Sequence, residues 1–489
     1  MLVVALDVGT SSARARAFDA KGRAVAGAEG HVAYEPTTSA DGGVELDPHA
    51  LVAAVAEALD GCVAGAGARA GRIAAVGVSV FWHSLLGLDR DGRPLTPVIT
   101  WADTRSAPDA LALRRRLDER ALHARTGAPL HAAFFPAKAC WLARTRPEVV
   151  ARAVTWCGFG EHLLALLTGT LRASLSMASG TGLLDQARGE WDAGALEAAG
   201  IAADTLPPID DAPLLGLRGR WAARWPALAR VPWLPARGDG ACSNVGSDCW
   251  GPDRVALNVG TSAALRVVLP AATASGTPTP WGLWRYRLDA GRALVGGATS
   301  EGGNVLAWCR RTLALPASDA ALERAIAAVA PDAHGLTALP FFAGERSPGW
   351  RPDARGAVAG LTLASGTPEV LRALLEAVAF RLAEIYDRLR PLAAPDHVVV
   401  GSGGALGHSR TWAQIITDTL GVPIALGSDA EASVRGAALL ALEALGAPPP
   451  PPPTPARVLQ PDPGRHARYR AARTRQGHLY DNIVGFQDS

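Results

Sequence analysis

Residues 1–22 read MLVVALDVGTSSARARAFDAKG, and this stretch decides the fold. Residues 2–6 form a short hydrophobic strand, and Asp7-Val8-Gly9-Thr10-Ser11-Ser12 makes a polar turn. Residues 13–18 return as a second strand, closed by the hairpin turn Asp19-Ala20-Lys21-Gly22. The alanine-rich return has a competing helical preference, but turn residues on both sides favour the hairpin. The order is strand, hydroxyl-rich glycine turn, strand. A dinucleotide-binding fold would instead place a helix after the glycine turn.

The same pattern recurs far downstream. Residues 255–258 lead into Gly260-Thr261-Ser262, and residues 263–269 return as a strand. An echo at this distance points to two similar cores. Between them, Asp47-Pro48 starts a helix, residues 73–80 read as a buried strand, and a turn at 89–92 precedes a short strand at 97–101. These alternations predict an α/β domain. The proline-rich segment 231–238 reads as the crossing between domains, giving a division into 1–236 and 237–489. Beyond it, helices are predicted from Thr367-Pro368, around Trp412 and from Glu431 to Leu445. The prolines at 448–453 form an extended connection, and the arginine- and tyrosine-containing tail packs back on the second domain.

Composition sets further bounds. A chain of 489 residues is long for one domain and comfortable for two or three. Its 48 basic and 46 acidic residues leave a formal charge of +2, too balanced to imply a nucleic-acid surface. Aromatic residues do not alternate with arginines along a strip, so a stacking surface for nucleic acid is not expected either. No uninterrupted apolar run reaches the length of a membrane span, and the start reads as a strand rather than an export signal. Six cysteines show neither CxxC pairs nor histidines at metal spacing. They are expected to be buried thiols in a reducing cytoplasm, with Cys242 the one candidate for reactivity.

Asp7-Val8-Gly9-Thr10-Ser11-Ser12 resembles the first phosphate loop of the actin-like ATPase superfamily. Gly9 lets backbone amides approach phosphates, and Thr10 and Ser11 add short hydroxyl donors. Gly260-Thr261-Ser262 is the matching loop of the second half, and the strand exit with Gly403 and Gly404 offers bare backbone to adenosine. No GxxxxGK[ST] segment is present, which argues against a P-loop kinase. From residue 1 to 480 the chain resembles the FGGY carbohydrate kinases, especially the gluconate kinases. The resemblance rests on DVGTSS at 7–12, HSLLGLDRDGRPLTPVITWADTR at 83–105, TGLLD at 181–185, GDGACSNVG at 238–246, NVGTSAALR at 258–266 and FFAGERSPGWRPDARG at 341–356.

That resemblance implies two ribonuclease-H-like α/β domains of the actin-like superfamily with an interdomain active-site cleft. It implies ATP and Mg2+, with Asp239 as the base that takes the proton of the attacking sugar hydroxyl. Asp7 would hold magnesium through water, with Asp239 also within reach of it through water. His83 would donate to a sugar hydroxyl or carboxylate, Trp82 would form an apolar wall and Asp103 would accept from sugar hydroxyls. Trp82 stands where relatives carry methionine, and Ser174 where many carry aspartate; Glu345 and Arg346 are expected to support the nucleotide domain. Lys138, one of only two lysines, is a candidate contact for a substrate carboxylate, with a surface lysine as the alternative. Local sequence by itself would make Asp239 a solvent-facing turn residue.

The reaction expected is ATP plus D-gluconate giving ADP plus 6-phospho-D-gluconate. The alternatives are a xylulokinase or another FGGY sugar or polyol kinase and, from a different class, an actin-like ATPase that phosphorylates no sugar. The partners expected are a small sugar or sugar acid and ATP, with no nucleic acid and no membrane; monomer and homodimer both stay open.

Overall fold

Leu2–Val8 is buried along its whole length, the mark of a central strand covered on both faces. It pairs antiparallel with Ser12–Asp19 and parallel with Ile73–Val80, as the opening hairpin predicts. The computed structural model describes residues 1–427, 431–452 and 454–485. In the first sheet the strand order is Leu214–Leu215, Pro232–Trp233, Ile73–Val80, Leu2–Val8, Ser12–Asp19, Ala24–Ala33, with Arg237–Gly238 also beside Ile73–Val80. Helix Pro48–Ala66 covers one face, capped by Asp47, whose carboxylate accepts from the N–H groups of His49 and Ala50. It has the length and hydropathy of a membrane span, but Leu51, Val55, Leu59 and Cys62 are spent on the first core.

The second sheet repeats the plan. Its order is Trp284–Arg287, Arg292–Thr299, Ala263–Pro270, Arg254–Val259, Val398–Ser402, Ile424–Leu426, Arg457–Leu459. Again a hairpin's first strand also runs parallel to a later strand: Asn258 lies opposite Ala264 on one side and Ser402 on the other. In the first sheet Asp7 lies opposite Arg14 and Ser79. The two sheets are thus superposable at the level of register, giving two α/β domains of the ribonuclease-H-like kind with a cleft between them.

Two helices tie the halves together. Asp239–Gly246 begins where the first sheet ends and packs along Ala432–Ala444, which returns from the second sheet to cover Leu2–Val8 and Ile73–Val80. A β-carbon on Gly246 would stand 1.8 Å from the carbonyl oxygen of Ala432, and one on Gly436 would stand 1.8 Å from that of Cys242. Only paired glycines allow this crossing. It also corrects the division expected at 236/237: Arg237–Gly238 is part of the first sheet, and Val434 to Leu442 belong to the first core. Chain order misleads here because the crossing helix is contributed from the far end of the sequence.

Residues 107–199 add a helical lobe with its own core, including Leu113, Leu122, Phe135 and Trp141. This lobe reaches across the cleft. The carbonyl oxygen of Leu283 lies 2.7 Å from His123 Nε2, Arg285 N donates to Gly127 O at 2.8 Å, and Arg114 donates to Trp350 O at 3.0 Å. The predicted helices appear as Thr367–Leu389, Arg410–Leu420 and Ala432–Ala444. The tail helix Pro463–Ile483 packs on the second domain through buried Tyr469, which donates to Glu376 at 3.0 Å. Pro453, the last residue of the proline run, lies outside the described residues.

Gly436→Ala is expected to destabilise the fold by about 1–3 kcal/mol, the usual cost of overpacking. Urea unfolding checks this; an unshifted midpoint would mean that the helices are not held at that distance.

Candidate functional site

The two candidate phosphate loops are built alike. Gly9 N donates to Ser12 O at 2.9 Å, and Gly260 N donates to Ser262 O at 2.9 Å. Tyr34 braces the first loop from below, its hydroxyl donating to Gly9 O at 2.6 Å. Gly303 braces the second, its N–H donating to Gly260 O at 2.7 Å. Among the described residues no protein group engages the hydroxyls of Thr10, Ser11, Thr261 or Ser262. Gly403 has φ 99°, and a β-carbon there would stand 2.5 Å from Val259 O, so the adenosine-side exit needs glycine. Gly404 follows as the first residue of the short helix Gly404–His408. A cavity of about 220 Å³ lies beside these elements, lined from both domains by Arg14, Asp239, Asn258, Arg266 and Gly403, while residues 9–11 and 260–262 are not on its wall. A larger groove of about 950 Å³ runs between the Arg16 to Ala24 hairpin and Pro448 to Pro451, sharing Glu431 with the cavity.

Asp239 is the first residue of its helix and faces this cavity, with Oδ1 accepting from Gly240 N at 2.7 Å. Burial raises its pKa, opposed by Arg266, the N–H groups of Gly240 and Trp82, and Arg346. Asp7 lies one residue before the end of its strand and accepts from Ser79 Oγ at 2.6 Å. Burial pushes Asp7 up to about 6 against that hydrogen bond, and Asp239 and Glu431 push it further while Arg14 pulls it back. Carboxylates that repel one another in this way suit a hard divalent cation with oxygen ligands. Asp7 and Asp239 are the residues that would hold it through water.

The sugar side is walled by aromatic rings. Trp82 is wedged among glycines: a β-carbon on Gly238 would stand 1.8 Å from its indole, one on Gly180 2.4 Å. Its Nε1 donates to Ser176 O at 3.0 Å, and its ring lies 4.9 Å from that of Tyr286. His83 has φ 62°, rare outside glycine and an indicator of strain kept for function. Its Nδ1 lies 2.5 Å from Gly180 O, which fixes the proton on Nδ1 and leaves Nε2 as an acceptor. Burial holds its pKa down at about 3, so the ring is neutral. The expected donor is therefore an acceptor. His131, which the sequence reading passed over, is neutral for the same reason, and its Nδ1 accepts from Ala133 N, leaving an Nε2 donor. The hydroxyl of Tyr286 is buried and, among the described residues, without a hydrogen-bond partner.

Two expected substrate contacts are turned elsewhere. Lys138 is fully buried, and its ammonium donates to the carbonyl oxygens of His83 at 2.5 Å and Thr100 at 2.8 Å. It ties the strand exits behind His83 instead of facing the cleft. Asp103 is 2% exposed, with Oδ2 accepting from Val44 N and both oxygens held by Arg105, which also pairs with Glu45. The Asp103 carboxylate is a loop clasp. Cys242 is buried and its thiol pushed up to about 12, an inert packing residue. Ser174 caps helix Leu175–Ser179 by accepting from Met177 N.

Arg346 moves the other way. It was expected to support the nucleotide domain, yet its guanidinium lies 5.5 Å from the ring of Trp101 and 6.0 Å from that of Trp350. It acts electrostatically on His83, His131 and Asp239. Among the described residues its guanidinium has no hydrogen bond or ion pair. The rarity of lysine draws attention to Lys138, while the cations that reach the cleft, Arg346, Arg266 and Arg14, are arginines among many.

Matched loops on two related sheets, a carboxylate between them and an aromatic pocket beyond define a phosphotransferase that works across an interdomain cleft. Residues 2–246 match the N-terminal domain of the FGGY family of carbohydrate kinases and residues 255–445 its C-terminal domain. The chain belongs to this family, whose members are ATP-dependent sugar and polyol kinases. It is 28% identical over 459 residues to a gluconokinase from Bacillus subtilis, covering 91% of this chain and 88% of the relative. Among solved structures it resembles gluconate kinase from Lactobacillus acidophilus, with TM-score 0.88, 26% identity and coverage of 99% and 98%. Ligand-bound xylulose kinase from the same organism matches with TM-score 0.88, 27% identity and coverage of 99% and 98%.

Lys138→Met separates the two roles considered for this lysine. Burial lowers Lys138 from 10.5 to about 7. Between those values the unfolded chain binds more protons than the folded one, so the wild-type contribution to stability rises with pH from about 7 upward. The methionine variant should lack that rise and lose about 1–3 kcal/mol at neutral pH through unpaired carbonyls. The ratio of kcat/KM for gluconate and xylulose should stay at the parent value. A collapse of that ratio would restore the substrate role.

Proposed function

We propose that this protein is an ATP-dependent gluconokinase, converting D-gluconate to 6-phospho-D-gluconate in the cytoplasm. The observation that carries the reading is Arg346: a guanidinium on the sugar side of Asp239, between two tryptophans, on which Asp239 and Glu301 act electrostatically but with which, among the described residues, no carboxylate forms an ion pair. A neutral sugar gives no return for leaving such a cation bare, whereas a sugar acid supplies the carboxylate that completes a forked, charge-assisted pair. The likeness to gluconate kinases supports the same reading.

In this mechanism Arg346 anchors the acid end of the substrate. His83 Nε2 accepts from a sugar hydroxyl, while His131 and Tyr286 donate to others. The chain of carbons then runs toward Asp239, placing the terminal hydroxyl beside its carboxylate. Asp239 accepts the hydroxyl proton as the oxygen attacks the terminal phosphorus of ATP. Thr10 and Ser11 from one domain and Thr261 and Ser262 from the other hold the phosphates. Magnesium, when bound near Asp7, neutralises phosphate charge. Contacts such as Arg285 N to Gly127 O keep the sugar side shut, so water does not compete as acceptor.

A coupled ADP-release assay with gluconate, xylulose, ribulose and glycerol tests the substrate. Gluconate should give the highest kcat/KM. Arg346→Met should lower that value for gluconate by about 10- to 100-fold, the worth of a charged hydrogen bond, and alter it far less for xylulose. Xylulose outperforming gluconate would make this a neutral-sugar kinase. Asp239→Asn should fold and bind ATP but lose about a hundredfold or more in kcat. Normal turnover by that variant would remove the base assignment.

A further inference from the structure

One group in the phosphate cavity has no task in the mechanism above. Arg266 lies on Ala263–Pro270, the strand that leaves the second phosphate loop, and it shares the cavity with Asp239, Asn258 and Arg14. Its Nε is buried and finds no acceptor, and among the described residues the guanidinium has no ion pair. A β-carbon on Gly240 would stand 3.4 Å from that Nε, so the guanidinium begins one residue from the proposed base.

The pseudo-symmetry of the sheets makes this absence of partners informative. Arg16 lies opposite Ala5, two residues before Asp7, and Arg266 lies opposite Ala256, two residues before Asn258. The two arginines therefore occupy the same place in the repeated hairpin. Arg16 is paired with Glu29 at 2.9 Å and Glu431 at 2.5 Å. Arg266 has neither counterpart. The fold thus tolerates a neutralised cation at this position and leaves the second with only the electrostatic pull of Asp239, unbonded to it, at a cost in desolvation that a bound anion would repay. Arg346 adds repulsion from the sugar side, which the same anion would relieve.

We propose that Arg266 is a catalytic residue whose guanidinium donates to the non-bridging oxygens of the phosphoryl group during its transfer. The substrate hydroxyl oxygen bonds to phosphorus while the bond from phosphorus to the bridging oxygen of ADP breaks. ADP leaves with the electron pair, the hydroxyl proton passes to Asp239, and Arg266 keeps its proton throughout. Charge on the transferring group spreads over those oxygens in the transition state, where a fixed, desolvated fork of donors acts most strongly. Arg14 enters the same cavity from the opposite domain, so the phosphoryl group would be held by cations rooted in both sheets.

This inference rests on Asp239 as the base and is tested beside Asp239→Asn. Arg266→Met and Arg266→Lys are assayed with ATP and gluconate, or with xylulose if that proves the better acceptor. In both variants kcat should fall about a hundred- to ten-thousand-fold, with little change in KM for either substrate. Calorimetry should show a non-hydrolysable ATP analogue still binding, while ADP with aluminium fluoride and sugar, which mimics the phosphoryl group in flight, no longer forms a tight complex. If the methionine variant does not fold, the lysine variant carries the test. Parent-like kcat in a folded variant overturns the proposal, as does a loss confined to KM for the sugar. An inactive Asp239→Asn beside a fully active Arg266 variant sinks only the arginine role. An active Asp239→Asn beside an inactive Arg266 variant keeps the arginine and removes the base.

Discussion

Gly246 and Gly436 let two helix backbones approach to the distance of a missing β-carbon, and the position of Asp239 depends on that contact. Helix Asp239–Gly246 issues from the first sheet; helix Ala432–Ala444 returns from the second and lies on the first. Locking them together fixes where one domain's strand ends stand relative to the other's. Asp239, the proposed base, is the first residue beyond the first sheet, so it inherits the precision of this crossing without needing a side-chain scaffold of its own. Preorganisation of that kind comes from the backbone.

The fold was readable because its deciding features are local. A buried hydrophobic run, a glycine turn with hydroxyls and a returning strand sit within about twenty residues, and the pattern recurs at 254–270. Asp7, Asp239 and the loop hydroxyls follow, since turns and strand exits fix them. Side-chain direction is another matter. Asp103 and Arg346 lie in well-matched segments and Lys138 outside them, yet Lys138 and Asp103 turn inward and Arg346 outward. Those choices depend on partners 55, 59 and more residues away: His83 for Lys138, Val44 for Asp103 and Trp101 for Arg346. The helical lobe at 107–199 supplies much of that packing, and no local signal announces which cation it will leave free. His83 shows the same limit from another side, because its tautomer is set by Gly180, in a turn far along the chain.

The sugar pocket separates shape recognition from charge recognition. Both histidines are neutral through burial, and their tautomers are opposite, one presenting an acceptor and the other a donor. In the proposed function they and the Tyr286 hydroxyl, unpartnered among the described residues, would read the alternating donors and acceptors of a polyol chain. Charge is left to the arginines, which stay protonated under any burial found here. A lysine in their place would be a poor substitute, as the depressed pKa of buried Lys138 illustrates.

The two sheets match in register but differ where charge matters. Asp7 accepts from Ser79 Oγ at 2.6 Å, and at the equivalent place Asn258 donates to Ser402 Oγ at 3.1 Å. The same strand-end hydrogen bond is thus made once with an acid and once with its amide. Had both been acids, a further carboxylate would join Asp7, Asp239 and Glu431 around the phosphates, and their mutual repulsion would grow. With asparagine the first domain keeps the negative groups that suit a cation, while the second presents Arg266. The charge pattern is therefore divided between the halves, and only closure of the cleft assembles it around a transferring phosphoryl group. An open cleft would hold half a site, with the cation ligand on one wall and the bare arginine on the other, so phosphoryl transfer is tied to the geometry that also excludes water.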